Sequence, residues 1–136
     1  MEPLVTVICL CYNQERFVRQ SIDSVLAQSY SNIELIVVDD ASTDASVEAI
    51  KERIKLHPGI KFIALPENSG NCRGFNTGLR HAGGEYVIDL AADDILMPER
   101  IRIGVEALRK AGDKFGVHFS DAYWISEEGH RLYRHS

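Results

Sequence analysis

Cysteine is too scarce here to build a framework. Cys9, Cys11 and Cys72 are odd in number, and the first two alternate along one apolar run, so they share a face. They read as small core hydrophobes in a reducing cytosol. No run approaches the ~18 apolar residues of a membrane span. The opening MEPLVTVICLCYNQE lacks the basic flank and cleavage site of a secretory leader and reads as a first strand. Basic charge is short as well: a net charge of −5 excludes a general nucleic-acid binder, because phosphate backbones select basic surfaces. There is no nucleophile elbow, phosphate-binding Gly-Lys loop or GxGxxG. The five histidines lack zinc spacing and read as surface or loop residues. What remains is ordinary globular material: 136 residues, 45% apolar and 26% charged. No repeat, low-complexity tract or linker interrupts it, so one domain over residues 1–136 is expected.

The apolar pattern alternates between two periods. LVTVICLCY (4–12) is β-branched and nearly continuous, like a strand buried on both faces. Val18, Ile22, Val25 and Leu26 then recur at helical spacing, predicting a helix over about 15–28. IELIVV (33–38) is a second strand, followed by a helix with Val47, Ile50 and Ile54 on its apolar face and Ser42 or Thr43 as its cap. IKFIAL (60–65) is a third strand, and a polar loop leads into a short helix ending near Leu79. EYVIDLA (85–91) is a fourth strand, and Pro98 suits the first turn of a helix with Ile101, Val105 and Leu108 inward. KFGVHFSD (114–121) reads as a fifth strand, with a hairpin after it around Glu128–Gly129. Strands alternating with helices imply a parallel α/β sheet, whose ligands bind beyond the carboxyl ends of the strands.

Two of those ends are acidic. IELIVVDDAST stops on Asp39 and Asp40, and YVIDLAADDIL stops on Asp93 and Asp94. Either pair could sit at a helix N-terminus, stabilised by the dipole. Gathered on one rim, four like charges instead call for a hard cation with oxygen ligands. Mg²⁺ or Mn²⁺ takes one or two carboxylates and completes its shell with water and substrate phosphates, which suits a nucleotide diphosphate donor. Asp89, alternating within the fourth strand, reads as a solvated or locally bonded acid. NSGNCRGFNTG (68–78) is a third constellation, with Arg73 as the cation able to meet a phosphate bidentately. Read blandly, it is a polar loop before an ordinary helix.

The order of these segments resembles the family 2 glycosyltransferases, which are inverting, nucleotide-sugar-dependent enzymes. The resemblance covers VTVICLCYNQERFVRQSIDSVLAQSYSNIELIVVDDASTD, NSGNCRGFNTGL and GGEYVIDLAADDILMPERI. It implies a Rossmann-like GT-A fold, a mostly parallel sheet flanked by helices. The turn at Tyr12, Asn13 and Glu15 would then lie against the nucleotide, with Asp39 accepting from the N3–H of uracil and Asp40 beside it. Ala91-Ala92-Asp93 falls on the family's DxD-like motif, so the resemblance implies Asp93 as metal ligand, Asp94 as a further one, and Ala92 beside the donor. Two departures stand out: Ala91 replaces a frequent Asp, and Phe75 replaces a frequent Arg.

The resemblance further implies transfer from a UDP-sugar to a glycan, lipid or protein acceptor, in a setting such as cell-envelope polysaccharide synthesis. The chain would work in the cytoplasm, with a longer enzyme at the cytoplasmic face of the membrane. The family's catalytic base lies downstream of the DxD region, so no base carries over. An amino-terminal portion of a longer enzyme is therefore expected. A non-catalytic nucleotide-sugar-binding module is the alternative. A receiver-like signalling domain also gathers acids around magnesium, but it needs a strand-end lysine that KFGVHFSD does not offer.

Overall fold

A computed structural model describes residues 2–114 and 116–135. Four strands, β1 (Val5–Cys11), β2 (Ile33–Asp39), β3 (Lys61–Ala64) and β4 (Tyr86–Ala91), form one sheet in the order β3-β2-β1-β4. Every pairing in it is parallel, with Val5 opposite both Ile33 and Tyr86. The helices α1 (Val18–Leu26), α2 (Ser46–Leu56) and α3 (Asn71–Arg80) fill the crossovers, and α4 (Arg100–Ala111) follows β4. β1 and β2 are the buried centre, which is why both read as unbroken apolar runs rather than alternating ones.

Alternation along β1 sorts its side chains onto two faces. Val5, Val7, Cys9 and Cys11 share one face, and the Cys9 thiol meets the Ser21 hydroxyl of α1 there. Val18, Ile22 and Val25 of α1 and Ala49 and Ile50 of α2 are buried with them. Ile8 shares the opposite face with Ile36 and Val38, where Leu10, Ile63, Leu65 and Phe75 pack against it. Helix α3 lies close on that face because Gly74 and Gly78 present no side chain to it. A Cβ on Gly78 would stand 2.7 Å from Ile8 Cγ2 and 3.3 Å from Val38 Cγ2. Each fully buried Ile or Val contributes about 1.5–3 kcal/mol of transfer free energy.

Contacts divide the chain into two compact units, one through Arg102 and the other from Ile103 onward. The second contains β5 (Ala122–Ile125) and β6 (Arg131–His135), an antiparallel pair. The hairpin expected around Glu128–Gly129 is present, with the Gly129 N–H donating to the Ser126 carbonyl. The strand expected over 114–121 is not: residues 116–121 form no strand, and residue 115 lies outside the described residues. Val117 and Phe119 stay exposed.

Two helix starts also differ from expectation. α1 begins at Val18 after a turn over 15–17, and α2 begins at Ser46, with neither Ser42 nor Thr43 capping it. Ala45 is the N-cap and offers no side-chain acceptor, and Asp44 just before it takes the first helical N–H: its Oδ1 accepts from the Ser46 N–H at 2.9 Å and from the Ser46 hydroxyl at 2.5 Å. Burial pushes the Asp44 carboxyl up, but these bonds and the Glu15 N–H outweigh it and hold the group below the usual carboxylate range.

Candidate functional site

From β1 the chain winds outward through β2 to β3, then returns to the far side of β1 for β4. The direction reverses between β1 and β4, and such a switch point opens a crevice beyond the carboxyl ends of those strands. Tyr12 and Asn13 follow β1 there, Asp40 follows β2, and Ala92 to Asp94 follow β4. α3 runs antiparallel to the strands, so its first turn, with Arg73, lies at the same edge.

The β1 and β2 loops are bolted together. Asn13 adopts a left-handed conformation (φ 51°), and its Oδ1 accepts from the backbone N–H of Thr43 at 2.8 Å and of Asp44 at 3.3 Å. In return the Asn13 N–H donates to Ser42 Oγ, the Gln14 N–H to Ser46 Oγ, and the Glu15 N–H to Asp44 Oδ2. Ala41 also sits at positive φ (61°), a strained position for a residue with a Cβ. Tyr12 is left 45% exposed above this clasp, and the Glu15 side chain is exposed.

The first acid pair is largely committed to these loops. Asp39 is 1% exposed; its Oδ1 accepts from the Ser42 hydroxyl at 2.6 Å and its Oδ2 from the Ser42 N–H at 2.9 Å. Asp40, 8% exposed, turns toward the other loop and accepts from the Ser69 N–H at 2.7 Å and the Gly70 N–H at 2.9 Å. It thereby anchors the segment that opens α3. Asp44 and Ser46 are site-forming groups that sequence reading passed over, Ser42 was read only as a helix cap, and the Ser69–Gly70 amides fall within the polar loop singled out over 68–78. The DDxSxD spacing is the one signal that could have found Asp44 and the role of Ser42.

The second pair is different. Ala92 is buried and its N–H donates to the Leu10 carbonyl at 2.9 Å, continuing the β1–β4 ladder past the strand. The chain then turns, with the Asp94 N–H on the Ala91 carbonyl, and Asp93 and Asp94 are exposed. Partial burial, then the neighbouring Asp93 charge, push the Asp94 carboxyl up. These two carboxylates repel, and no third His, Cys, Asp or Glu joins them in a metal-binding cluster among the described residues.

Of the residues expected at the site, Asn13 and Asp39 are joined through Ser42, and Asp40 is bonded to the loop that opens α3. Arg73 is exposed on α3, and Asp93 and Asp94 stand at the end of β4. The glycosyl transferase family 2 model matches residues 6–133. This chain belongs to that family.

Its relatives agree. An uncharacterized glycosyltransferase of Rickettsia prowazekii is 36% identical over 132 residues, 96% of this chain and 40% of the relative. Glycosyltransferase GlyA of Streptococcus pneumoniae is 43% identical over 90 residues, 66% of this chain and 13% of its own length. Among solved structures, the mannosyltransferase PcManGT of Pyrobaculum calidifontis in complex with GDP-Man and Mn²⁺ superposes with a TM-score of 0.72 at 32% identity, over 83% of this chain and 33% of that one. TarS of S. aureus in complex with UDP-GlcNAc does so with a TM-score of 0.65 at 29% identity, over 74% and 29%. The fold is therefore of the GT-A glycosyltransferase kind. The chain spans about 40% of the length of the Rickettsia relative. Among the described residues no helix is long and apolar enough to cross a membrane.

Proposed function

We propose that this chain forms the donor-binding part of an inverting, metal-assisted glycosyltransferase of the cytoplasm, holding a nucleotide-diphospho-sugar across the carboxyl ends of β1, β2 and β4. The observation that carries the reading is the contrast between the acid pairs. Asp39 and Asp40 are satisfied by loop N–H and O–H donors, whereas Asp93 and Asp94 stand open at the switch point.

Two exposed carboxylates fit Mn²⁺ or Mg²⁺ as hard oxygen donors, too few to complete an octahedron without diphosphate oxygens and water. When bound, such an ion neutralises the diphosphate and stabilises its departure from the sugar. Asp93 is the principal ligand, Asp94 the lesser one, and Ala91 supplies no third carboxylate. Arg73 meets a phosphate oxygen from the first turn of α3. Tyr12 lies against the nucleotide, held there by Asn13 and by the clasp in which the Glu15 N–H takes part.

A carboxylate at the end of β2 takes the ring N–H of the base. Asp39 was the residue expected in that role, but its two oxygens are buried on Ser42. Asp40, somewhat more exposed and facing the α3 loop, is the better placed of the two. Uracil offers N3–H and guanine N1–H to such an acceptor, in line with the UDP-GlcNAc and GDP-Man of the two solved relatives. UDP-sugars remain the favoured donors. The acceptor is a glycan, lipid or protein, and no residue named above serves as the base that deprotonates it.

The test is calorimetry with UDP and GDP, each with and without Mn²⁺. Nucleotide and metal should enhance one another's binding reciprocally, and Asp93→Asn should lose most of that enhancement. Asp40→Ala should weaken binding by about 1.5–3 kcal/mol, the scale of a charged hydrogen bond, and more than Asp39→Ala does. Equal nucleotide affinity with and without metal, or full enhancement in Asp93→Asn, overturns the metal site.

A further inference from the structure

The acidic turn is held from a direction that the sheet does not explain. Between β4 and α4 the chain has little regular structure, yet the polar backbone groups of its 91–101 segment find partners on one strip of α1 and the residues after it. The Ser21 hydroxyl, fully buried, donates to the Ala91 carbonyl at 3.3 Å. Ser24 Oγ accepts from the Leu96 N–H at 3.0 Å while donating to the Ser21 carbonyl at 2.6 Å. The Gln28 carboxamide spans the segment's far end, its Nε2 donating to the Met97 carbonyl at 2.7 Å and its Oε1 accepting from the Ile101 N–H at 3.1 Å. The Ser29 N–H adds a bond to the Pro98 carbonyl at 2.9 Å. Ser21 and Ser24 fall at i and i+3 on one face of α1, beside the apolar stripe of Ile22 and Val25, and Gln28 follows just past the end of the helix.

An apolar residue at the buried Ser21 position would need no such partners. The hydrogen bonds of this strip end on backbone atoms flanking Asp93 and Asp94 on both sides. Ala92, bonded to Leu10, fixes where the turn begins, and Ser24 and Gln28 fix where it goes next. We propose that Ser24 and Gln28 are positioning residues for the acidic turn: they set its grip on a divalent cation bound with a nucleotide diphosphate, without touching either. The inference rests on the reading of Asp93 as metal ligand. A site of only two carboxylates depends heavily on where they stand, because each must meet the ion at near-octahedral angles while the diphosphate supplies the rest. A turn free to swing by an ångström loses that match.

The experiment measures UDP and GDP affinity by calorimetry, with and without Mn²⁺, for the wild-type chain and for Ser24→Ala, Ser24→Thr, Gln28→Ala and Asp93→Asn. The quantity read is the enhancement, the ratio of nucleotide affinities with and without the metal. Ser24→Ala and Gln28→Ala should keep the metal-free affinity and lower the enhancement by at least about fivefold, within the usual range of coupling between sites. Ser24→Thr, which keeps the hydroxyl, should restore it. In the Asp93→Asn background Gln28→Ala should remove nothing further, since both act on the same turn. Wild-type enhancement in both alanine variants overturns the proposal, as does an equal fall in metal-free affinity, the mark of a general structural role. Full enhancement in Asp93→Asn, or none in the wild type, refutes the metal reading and this inference with it. Loss in Asp93→Asn with none in the Ser24 and Gln28 variants refutes this inference alone.

Discussion

Glu34 should prove one of the costliest polar residues to remove, although it lies at the opposite end of the sheet from the site. Its carboxylate, 14% exposed, accepts from the Thr6 hydroxyl at 2.7 Å, the Gly83 N–H at 2.8 Å and the Lys61 ammonium at 2.5 Å. Thr6 is fully buried and accepts in turn from the Gly84 N–H at 2.9 Å. Gly84 must be glycine there, since a Cβ would stand 2.5 Å from Thr6 Oγ1 and 2.6 Å from Thr6 N. The cluster therefore sets where β4 starts against β1, and that register carries through to Asp93 at the other end.

The magnitude follows from the three bonds. Hydrogen bonds to a charged group are worth about 1.5–3 kcal/mol each, and Glu34→Ala leaves a buried hydroxyl without its acceptor. Water can replace part of the loss at the exposed Gly83 amide, and the half-exposed Lys61 pair contributes only about 0–1 kcal/mol. Glu34→Ala should thus cost roughly 2–4 kcal/mol, a fall of about 1–2 M in the urea midpoint. Thr6→Val should couple to it by about 1 kcal/mol or more, and Lys61→Ala by much less.

The charge has its own signature. Burial pushes the Glu34 carboxyl up, but the Gly83 N–H, the Lys61 charge and the Thr6 hydroxyl outweigh it, so its folded pKa lies below the ordinary value. A depressed acid contributes stability that is complete above the unfolded pKa, about 4.3, and is lost as pH falls through the folded one. The gap between wild type and Glu34→Gln should therefore be full at pH 7 and close on acidification below that value. Urea melts across pH 3–7 read all of this. A Glu34→Ala cost under about 0.5 kcal/mol, or simple additivity with Thr6→Val, would refute the reasoning.

Two further outcomes follow from side chains already described. Asp44→Ala should lower stability by about 0.5–2 kcal/mol, the usual value of a side chain that holds a helix start, and amide exchange should rise first at Glu15 and Ser46; because the Asp44 pKa is depressed, the loss should fade as pH falls through its folded value. Iodoacetamide at pH 8 should label only Cys72 of the native chain, read by mass spectrometry, because Cys72 is exposed whereas burial pushes the Cys9 thiol up to about 12 and the Cys11 thiol up to about 11.

The parallel core was open to reading because its signals are local. β1 and β2 are buried on both faces, so their runs are unbroken, and the apolar period of α1 and α2 marks the faces that pack. The misplaced features depend on partners that local sequence does not reveal. FGVHF alternates like a strand, but alternation forms a strand only where another edge accepts its hydrogen bonds. The start of α2 was set two or three residues early because Ser42 and Thr43 are good caps in isolation. Here Ser42 is drawn onto Asp39, and Asp44 takes the first helical N–H. Ser24 and Gln28 carried no signal, since a polar residue at the margin of an amphipathic helix is ordinarily a solvated one.

The two acid pairs show how the same local pattern can end in opposite chemistry. Each follows an apolar strand, and each precedes a segment suited to begin a helix. What separates them is the supply of donors. The loop after Asp39 brings the Ser42 N–H and hydroxyl back onto it, and the loop after β3 brings the Ser69 and Gly70 amides to Asp40. Those carboxylates are solvated by protein, and their charge stiffens the rim. After Asp93 the chain runs into ILMP, which brings no side-chain donor and, at Pro98, no N–H. Its backbone groups at Leu96 and Met97 turn instead to α1. Asp93 and Asp94 therefore stay exposed beside one another, and the Asp93 charge adds to the burial that pushes the Asp94 carboxyl up. The fold binds one pair to its own loops and leaves the other exposed at the end of β4.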